Sequence, residues 1–240
     1  MSVRAIIPKE ASMKKIIGIL VIGFVALGTV SAKKWTNNVG FGFSMPISTI
    51  GVDEKDSDDI SQIGYGIDMF YVGVHEDGFT TKANVDLGIA TTKDISLQDN
   101  ETNAGIFYNV DLGVGWSFIH TEKMMLSLTG MLGLDIGGYE DSAEDVSYDG
   151  NDCDSFKKTI AFAEFNVGGD LFFSYRIKEH FGFFANFSAR YLVAGGINDK
   201  IEWTYKDSDG RKHTESSEGD STTLLGKFRI QPTLGVVWNF

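Results

Sequence analysis

The chain has 240 residues, a formal net charge of −12 and a single cysteine, Cys153. This length suits one β domain of ordinary size. The acidic balance excludes a nucleic-acid binder, which needs a basic face to meet phosphates. A lone cysteine excludes an intramolecular disulfide and a multi-cysteine metal site.

The N-terminus carries a targeting pattern. Lys14 and Lys15 precede an uncharged apolar run, residues 16–30, which leads into a small-residue site that ends at Ala32. That order is typical of a secretory signal peptide. The run is short for a membrane-spanning helix, which needs about 20 residues. We predict a signal peptide over residues 1–32 and an exported domain over 33–240; an uncleaved anchor and translation from Met13 stay open as alternatives.

Beyond residue 34, apolar residues alternate with polar or small ones, which is the period of a half-buried strand. The pattern recurs over residues 39–47, 63–71, 79–89, 106–118, 126–136, 161–175, 181–193 and 228–240. A tilted strand needs about 9–11 residues to cross a bilayer, whereas globular strands most often have about 5–6. These segments therefore favour eight strands of membrane-spanning length.

The connections between the segments alternate in length. The short ones are His75–Gly78, Ile119–Lys123 and Arg176–His180, and the long ones are Thr49–Ser61, Thr91–Thr102, Tyr139–Lys158 and Ala194–Thr223. Bacterial outer-membrane barrels have short periplasmic turns and long outer loops. The pattern predicts an all-β fold: a membrane-spanning, eight-stranded, antiparallel up-and-down β-barrel with both termini on the short-turn side.

Alternation alone does not say which face is outside, because a soluble barrel alternates with its apolar face inward. Aromatic residues cluster at the short-turn ends of the segments, where a membrane-interface girdle belongs. The predicted periplasmic girdle consists of Trp35, Tyr71, Phe79, Trp116, Phe118, Tyr175, Phe181 and Trp238. We therefore expect the apolar face to meet lipid.

The last strand ends on Trp238 and Phe240. This ending resembles the C-terminal insertion signal that the barrel assembly machinery reads. The exported part resembles the small eight-stranded barrels of the OmpX, OmpA-transmembrane and OmpW types. The resemblance implies integral location in a bacterial outer membrane, contact with its lipids, periplasmic termini and no cofactor.

The polar face of such a barrel lines a lumen that side chains just fill. It carries Asp68, Lys82, Asp86, Asp111, Asp135, Glu164, Asp170, Arg190, Lys227 and Arg229. Unpaired buried charges cost several kcal/mol each. We predict an ion-pair network that closes the lumen, including a pair between Glu164 and Arg190 across the short hairpin; a proton or small-solute path is the alternative.

The long connections are the expected functional surface, since function concentrates on loops held by a rigid scaffold. Asp209-Gly210 lies between two alternating runs and predicts a β-hairpin. Trp203 and Tyr205 in this hairpin are candidates for contact with an extracellular ligand. Two functions stay open: a structural protein that acts through acidic outer loops, and an OmpW-like channel for small or apolar solutes.

No metal site and no catalytic site are expected. Barrel enzymes of the class that this chain resembles carry His with Ser, Asp or Glu at the outer rim. His75, His120 and His180 fall in the short turns, which leaves only His213 on the outer side. A Ser–His–acid site needs its members within hydrogen-bond reach of one another, and nothing in the sequence fixes such a geometry around His213.

Overall fold

The computed structural model describes residues 34–52, 60–92, 103–148, 151–206, 209, 211–219, 222–225 and 228–240. The predicted signal peptide lies outside them. The described strands are β1 (Trp35–Ser44), β2 (Ile47–Val52), β3 (Ile60–His75), β4 (Phe79–Thr92), β5 (Asn103–His120), β6 (Met124–Tyr148), β7 (Asn151–Lys178), β8 (Phe181–Lys206), β9 (Lys212–Glu218), β10 (Thr222–Leu225) and β11 (Phe228–Asn239). Within these ranges, no helix has the length and apolar character needed to cross a membrane.

Eight strands form a closed ring in chain order: β1, β3, β4, β5, β6, β7, β8 and β11, with β11 returning to β1. Every neighbouring pair in the ring is antiparallel. The predicted eight-stranded antiparallel barrel is therefore confirmed. Closure leaves no open sheet edge within the ring, so the backbone groups pair with one another.

A proline interrupts the first strand. β1 ends at Ser44 and β2 begins at Ile47, with Pro46 between them. Proline has no N–H to donate to the ladder, which confines it to strand ends, edges and bulges. β2 then continues the wall by pairing with β3, β10 and β11.

The three short turns lie at one end of the barrel, at residues 76–78, 121–123 and 179–180, as predicted. Gly78 has φ +101° in the first of them, a conformation that glycine adopts at no steric cost. The chain end lies at the same level: Asn37 N donates to Phe240 O at 3.3 Å, and Phe240 N donates to Asn37 O at 3.1 Å.

The other end differs from the sequence prediction. Residues 139–158 and much of 194–223 were expected to be loops, but β6 runs to Tyr148, β7 starts at Asn151 and β8 runs to Lys206. The expectation was wrong because residues 140–145 are polar or small on both faces, so apolar–polar alternation is weak there. The hairpin predicted at Asp209-Gly210 is confirmed, with Lys206 paired to Lys212. We call residues 139–148, 151–160, 197–206 and 212–218 the outer sheet.

Candidate functional site: the barrel lumen

Within the ring, apolar side chains face outward and polar side chains face inward. The neighbours Ile67 and Asp68 illustrate this alternation, at 59% and 2% exposed. The acidic residues 53–59 of the first long connection lie outside the described residues.

An apolar plug fills the lumen near the short turns. It consists of Phe70, Val72, Val74, Met125, Phe172, Phe184 and Val237. The Phe70 ring lies 4.5 Å from the Phe184 ring and 5.1 Å from the Phe172 ring, between centroids. Gly40 on β1 leaves room for Phe70, since a Cβ there would lie 2.6 Å from its Cζ. The plug therefore occupies this end of the lumen with packed apolar side chains.

A charged quartet lies next to the plug: Lys82, Asp111, Asp170 and Arg190. Lys82 Nζ donates to Asp170 Oδ2 at 2.7 Å, and Arg190 Nη1 donates to Asp170 Oδ1 at 2.6 Å. Arg190 Nη2 donates to Asp111 Oδ2 at 3.2 Å. All four side chains are buried, at 4% exposed or less. Two acids and two bases in mutual contact form a locally neutral set, the arrangement that buried charges require.

Neighbouring polar groups complete the quartet. Ser188 Oγ donates to Asp170 Oδ1 at 2.8 Å, and Asn84 Nδ2 donates to Asp111 Oδ2 at 3.0 Å. Gly133 on β6 has a steric role here, because a Cβ at this position would overlap Asp111 Oδ1. The glycine therefore makes room for the carboxylate.

A second set of charges forms an acid row across five consecutive strands. Successive backbone partners place it along β3 to β7. Its members are Asp68, Asp86, Asn109, Asp135 and Glu164, none more than 8% exposed.

Two members of the acid row have clear partners. Asp86 accepts hydrogen bonds from Ser44 Oγ at 2.8 Å and from Gln231 Nε2 at 2.7 Å. Asp135 forms an ion pair with Arg229, whose Nη1 donates to Asp135 Oδ2. Among the described residues, Glu164 Oε1 and Asp68 Oδ1 have no hydrogen-bond partner.

The predicted pair between Glu164 and Arg190 is wrong. The turn at residues 179–180 sets the β7–β8 register so that Arg190 lies opposite Gly168, and Glu164 lies opposite Gly195. The two side chains therefore belong to different layers. Lys227, also predicted for the network, lies outside the described residues.

An upper cavity of about 30 Å³ separates the acid row from an apolar cluster nearer the outer mouth. Its lining includes Gln62, Asp135, Glu164, Asn166 and Arg229. The apolar cluster consists of Ala90, Phe107, Tyr139, Phe162 and Leu192. From the short turns outward, the lumen thus holds a plug, two charged layers, a small cavity and a second apolar layer.

The predicted girdle residues lie at the short-turn end of the ring. Trp238 packs on Phe181 at 5.5 Å and Trp35 on Phe79 at 6.2 Å, between ring centroids. Trp116, Phe118 and Tyr175 are exposed, at 45%, 63% and 45%. Tyr71 departs from the prediction, because it is only 7% exposed and its hydroxyl donates to Asn37 Oδ1 at 2.8 Å. Its partner is a cross-strand asparagine, which girdle spacing alone does not reveal.

The two predicted contact residues lie on the outer sheet and are half-buried. Trp203 is the backbone partner of Phe156. Tyr205 stacks on His213, with ring centroids 5.5 Å apart, and donates its hydroxyl to Glu215 Oε1 at 2.8 Å. Both aromatic residues are thus built into the sheet.

Ion pairs lie on the solvent-exposed side of the outer sheet and in the short turns. Lys157 Nζ lies 2.8 Å from Glu140 Oε2. Lys206 Nζ lies 3.0 Å from Asp154 Oδ2, and its hydrogen bond lowers the pKa of that carboxyl. At the short-turn end, Lys34 donates to Glu76 at 2.7 Å and lowers the pKa of Glu76. In the described ranges, no group of three or more His, Cys, Asp or Glu side chains is placed to hold a metal ion.

Comparison with known proteins shows the fold. No family model and no curated protein matches the chain. A major outer membrane protein from Thermus thermophilus is similar with a TM-score of 0.51 at 12% identity, over 84% of this chain and 99% of that one. Ail of Yersinia pestis, solved in complex with the heparin analogue sucrose octasulfate, has a TM-score of 0.37 at 14% identity, over 86% of this chain and 99% of that one. The outer membrane protease OmpT of Escherichia coli has a TM-score of 0.36 at 10% identity, over 88% of this chain and 98% of that one. The first of these similarities, with a TM-score above 0.5, shows that the chain shares its fold with an outer-membrane protein.

Proposed function

We propose that this protein is an integral β-barrel of a bacterial outer membrane which is closed to solutes and presents its outer sheet to the cell exterior as an interaction surface. The reversal of polarity along the strands is the observation that carries the proposal. It occurs where the ring continues into the outer sheet, so it divides the same strands into two environments.

At the level of the ring, the outward face is apolar. Ile106, Leu132 and Leu134 are 64%, 56% and 45% exposed, a band that lipid would cover. In the outer sheet, the inward face is the apolar one: Phe156 and Ile160 are 5% and 6% exposed. Its outward face carries residues such as Glu140 and Lys157, which form an ion pair. This second arrangement suits water.

The closed lumen supports a surface role. The apolar plug fills the short-turn end, and the charged quartet next to it is neutral and buried. The outer sheet, by contrast, is a platform of four paired strands. Rigid scaffolds that carry exposed segments are where binding residues concentrate.

Orientation is tested by cysteine labelling in whole cells. In a Cys153→Ser background, cysteine is placed at Thr214 on β9 or at Thr121 in a short turn, both exposed positions. A membrane-impermeant maleimide should label Thr214→Cys in intact cells and Thr121→Cys only after lysis. The opposite pattern would overturn the proposed orientation.

Closure is tested by conductance in planar bilayers. The wild type should show no stable channel. The double variant Phe70→Ala and Phe172→Ala removes two rings of the plug and should raise conductance, whereas Phe173→Ala, on the outward face, should not. A large, steady wild-type conductance would contradict a closed barrel.

A channel for small apolar solutes is the second candidate. The apolar cluster at the outer mouth, with Phe107, Phe162 and Leu192, supports it. Liposome uptake of an apolar solute that depends on Phe107 and Phe162 would favour this function over the surface role.

A further inference from the structure

Two aspartates of the acid row lie directly opposite each other on neighbouring strands. Asp68 on β3 is the backbone partner of Asp86 on β4, and both side chains face the lumen, at 2% and 0% exposed. The Cβ atoms of such partners are about 4.5–5.5 Å apart, and like charges in these positions destabilise a sheet. Two ionised carboxylates would repel each other strongly here, because buried charges are screened little by solvent.

Asp86 is held as a carboxylate. Ser44 Oγ donates to its Oδ1 at 2.8 Å, and Gln231 Nε2 donates to its Oδ2 at 2.7 Å. Arg229 on β11, which forms an ion pair with Asp135, also attracts the negative charge of Asp86. Both oxygens of Asp86 therefore accept hydrogen bonds, which favours the ionised form of this side chain.

Asp68 has the opposite surroundings. Its Oδ1 has no hydrogen-bond partner among the described residues, and its backbone partner on β1 is Gly42, which has no side chain to donate. On β4, the diagonal neighbour of Asp68 is Asn84. Asn84 Nδ2 donates to Asp111 Oδ2, and Asn84 Oδ1 has no partner among the described residues. The β4 neighbours of Asp68 thus present acceptors, which an O–H group would satisfy and a carboxylate would not.

The cations near Asp68 are bound to other groups. The charged side chains that act on Asp68 are Lys82 and Asp86 on β4, Asp111 on β5 and Asp170 on β7. Lys82 Nζ donates to Asp170 Oδ2 at 2.7 Å and to Asn186 Oδ1 at 2.8 Å. Arg190 on β8 is paired with Asp111 and Asp170. β1, the other neighbour of β3, contains no charged residue.

We propose that Asp68 binds a proton in the folded barrel and is a neutral carboxylic acid at pH 7, whereas Asp86 keeps its negative charge. The proton removes the repulsion between the two facing carboxyl groups and supplies the donor that the neighbours of Asp68 call for. An aspartate in the unfolded chain is ionised at this pH. The folded state therefore holds one proton more than the unfolded state, and its stability falls as the pH rises. Asp68 is thus a pH-sensitive element in the wall of the lumen.

Infrared spectroscopy of the full exported chain, folded in phospholipid vesicles at pH 7, detects this proton. We expect a protonated-carboxyl band in the wild type that moves when aspartate carboxyls are isotope-labelled and is lost in Asp68→Asn. The matched control is Asp77→Asn, the same change at a short-turn carboxylate that is 58% exposed; it should retain the band. The proposal is overturned if the folded wild type has no such band, if the label leaves the band in place, or if the band keeps its full amplitude in Asp68→Asn.

Urea unfolding gives a second readout. Between pH 6 and pH 8, the ratio of the wild-type unfolding constant to that of Asp68→Asn should rise by up to about tenfold per pH unit, because only the wild type releases this proton on unfolding. The corresponding ratio for Asp77→Asn should stay constant. If Asp68→Asn does not fold, Asp68→Thr, which is neutral and has a hydroxyl donor, takes its place in both measurements. A ratio that does not change with pH would mean that Asp68 is ionised in the folded barrel, contrary to the proposal.

Discussion

The strands of this barrel cross two regions that use the same alternation in opposite senses. Around Leu132 on β6, the apolar side chain points outward, and that of its neighbour Met131 points into the lumen. Ten residues further along the same strand, Ser142 points outward and Ala143, 5% exposed, points inward. The backbone pairing with β7 continues through both regions.

The comparison shows that pairing and polarity are set separately. Backbone hydrogen bonds hold β6 and β7 together along their whole length, whatever surrounds them. The surrounding medium decides which face must carry the apolar side chains for the fold to be stable. Apolar groups gain free energy by leaving water and gain little by leaving lipid. The change of sense, near Tyr139 and Ile160, therefore marks the outer boundary of the proposed membrane level.

The largest expected effect on stability is the difference between removing a buried charge and removing an exposed one. Arg190→Met removes the partner of Asp111 and Asp170 in the charged quartet, and should destabilise the barrel by about 3–5 kcal/mol. Lys206→Met breaks an ion pair in the outer sheet, where both side chains are solvated, and should change stability little. Urea unfolding in phospholipid vesicles measures both. Equal effects would contradict the difference in environment.

The next effect tests the lipid-facing side. Leu132→Arg puts a charge on the outward face of the ring and should cost about 2–4 kcal/mol, as expected near the middle of a bilayer. Ser142→Arg makes the same addition on the outward face of the outer sheet and should be nearly neutral. If the two variants unfold at the same urea concentration in vesicles, the reversal of polarity does not mark a membrane boundary.

A smaller effect is expected when the same truncation is made at a buried position and at an outward-facing one. Ile160→Val removes a methylene from the buried inner face of the outer sheet and should cost about 0.5–1.5 kcal/mol. Ile136→Val makes the same change on the outward face of the ring, at 39% exposed, where a lipid chain fills the space. It should therefore cost less. Vesicle unfolding and protease sensitivity of the outer sheet together show the difference.

The smallest effect concerns the short turns. Because Lys34 lowers the pKa of Glu76, their pair stabilises the folded state above the ordinary Glu pKa, and this contribution is lost as the pH falls through the lowered value. Glu76→Gln should reduce the unfolding midpoint slightly at pH 7 and not at pH 3, whereas Glu179→Gln, 89% exposed, should be neutral at both. A larger loss at pH 3 than at pH 7 would contradict the pairing.

The sequence predicted the number of strands, their antiparallel order, the short turns and the inward polar face. Each of these features follows from local alternation and from the spacing of the segments. The β6–β7 part of the outer sheet was missed because Glu140, Ser142 and Glu144 alternate with residues that resemble a loop in composition. The partners of Arg190 were also missed. They depend on a two-residue turn and on the stagger between strands, and a register error of a few residues moves a side chain into another layer.

By itself, the sequence determined that this protein is a set of alternating strands with one apolar and one acidic, polar face, since a period of two is a local property of the chain. Only the tertiary structure decided which charges meet. The ring brings Lys82 from β4 to Asp170 on β7 and Arg229 from β11 to Asp135 on β6. It leaves Glu164 beside a cavity, because ion pairing across a lumen depends on register and closure, which no local pattern encodes.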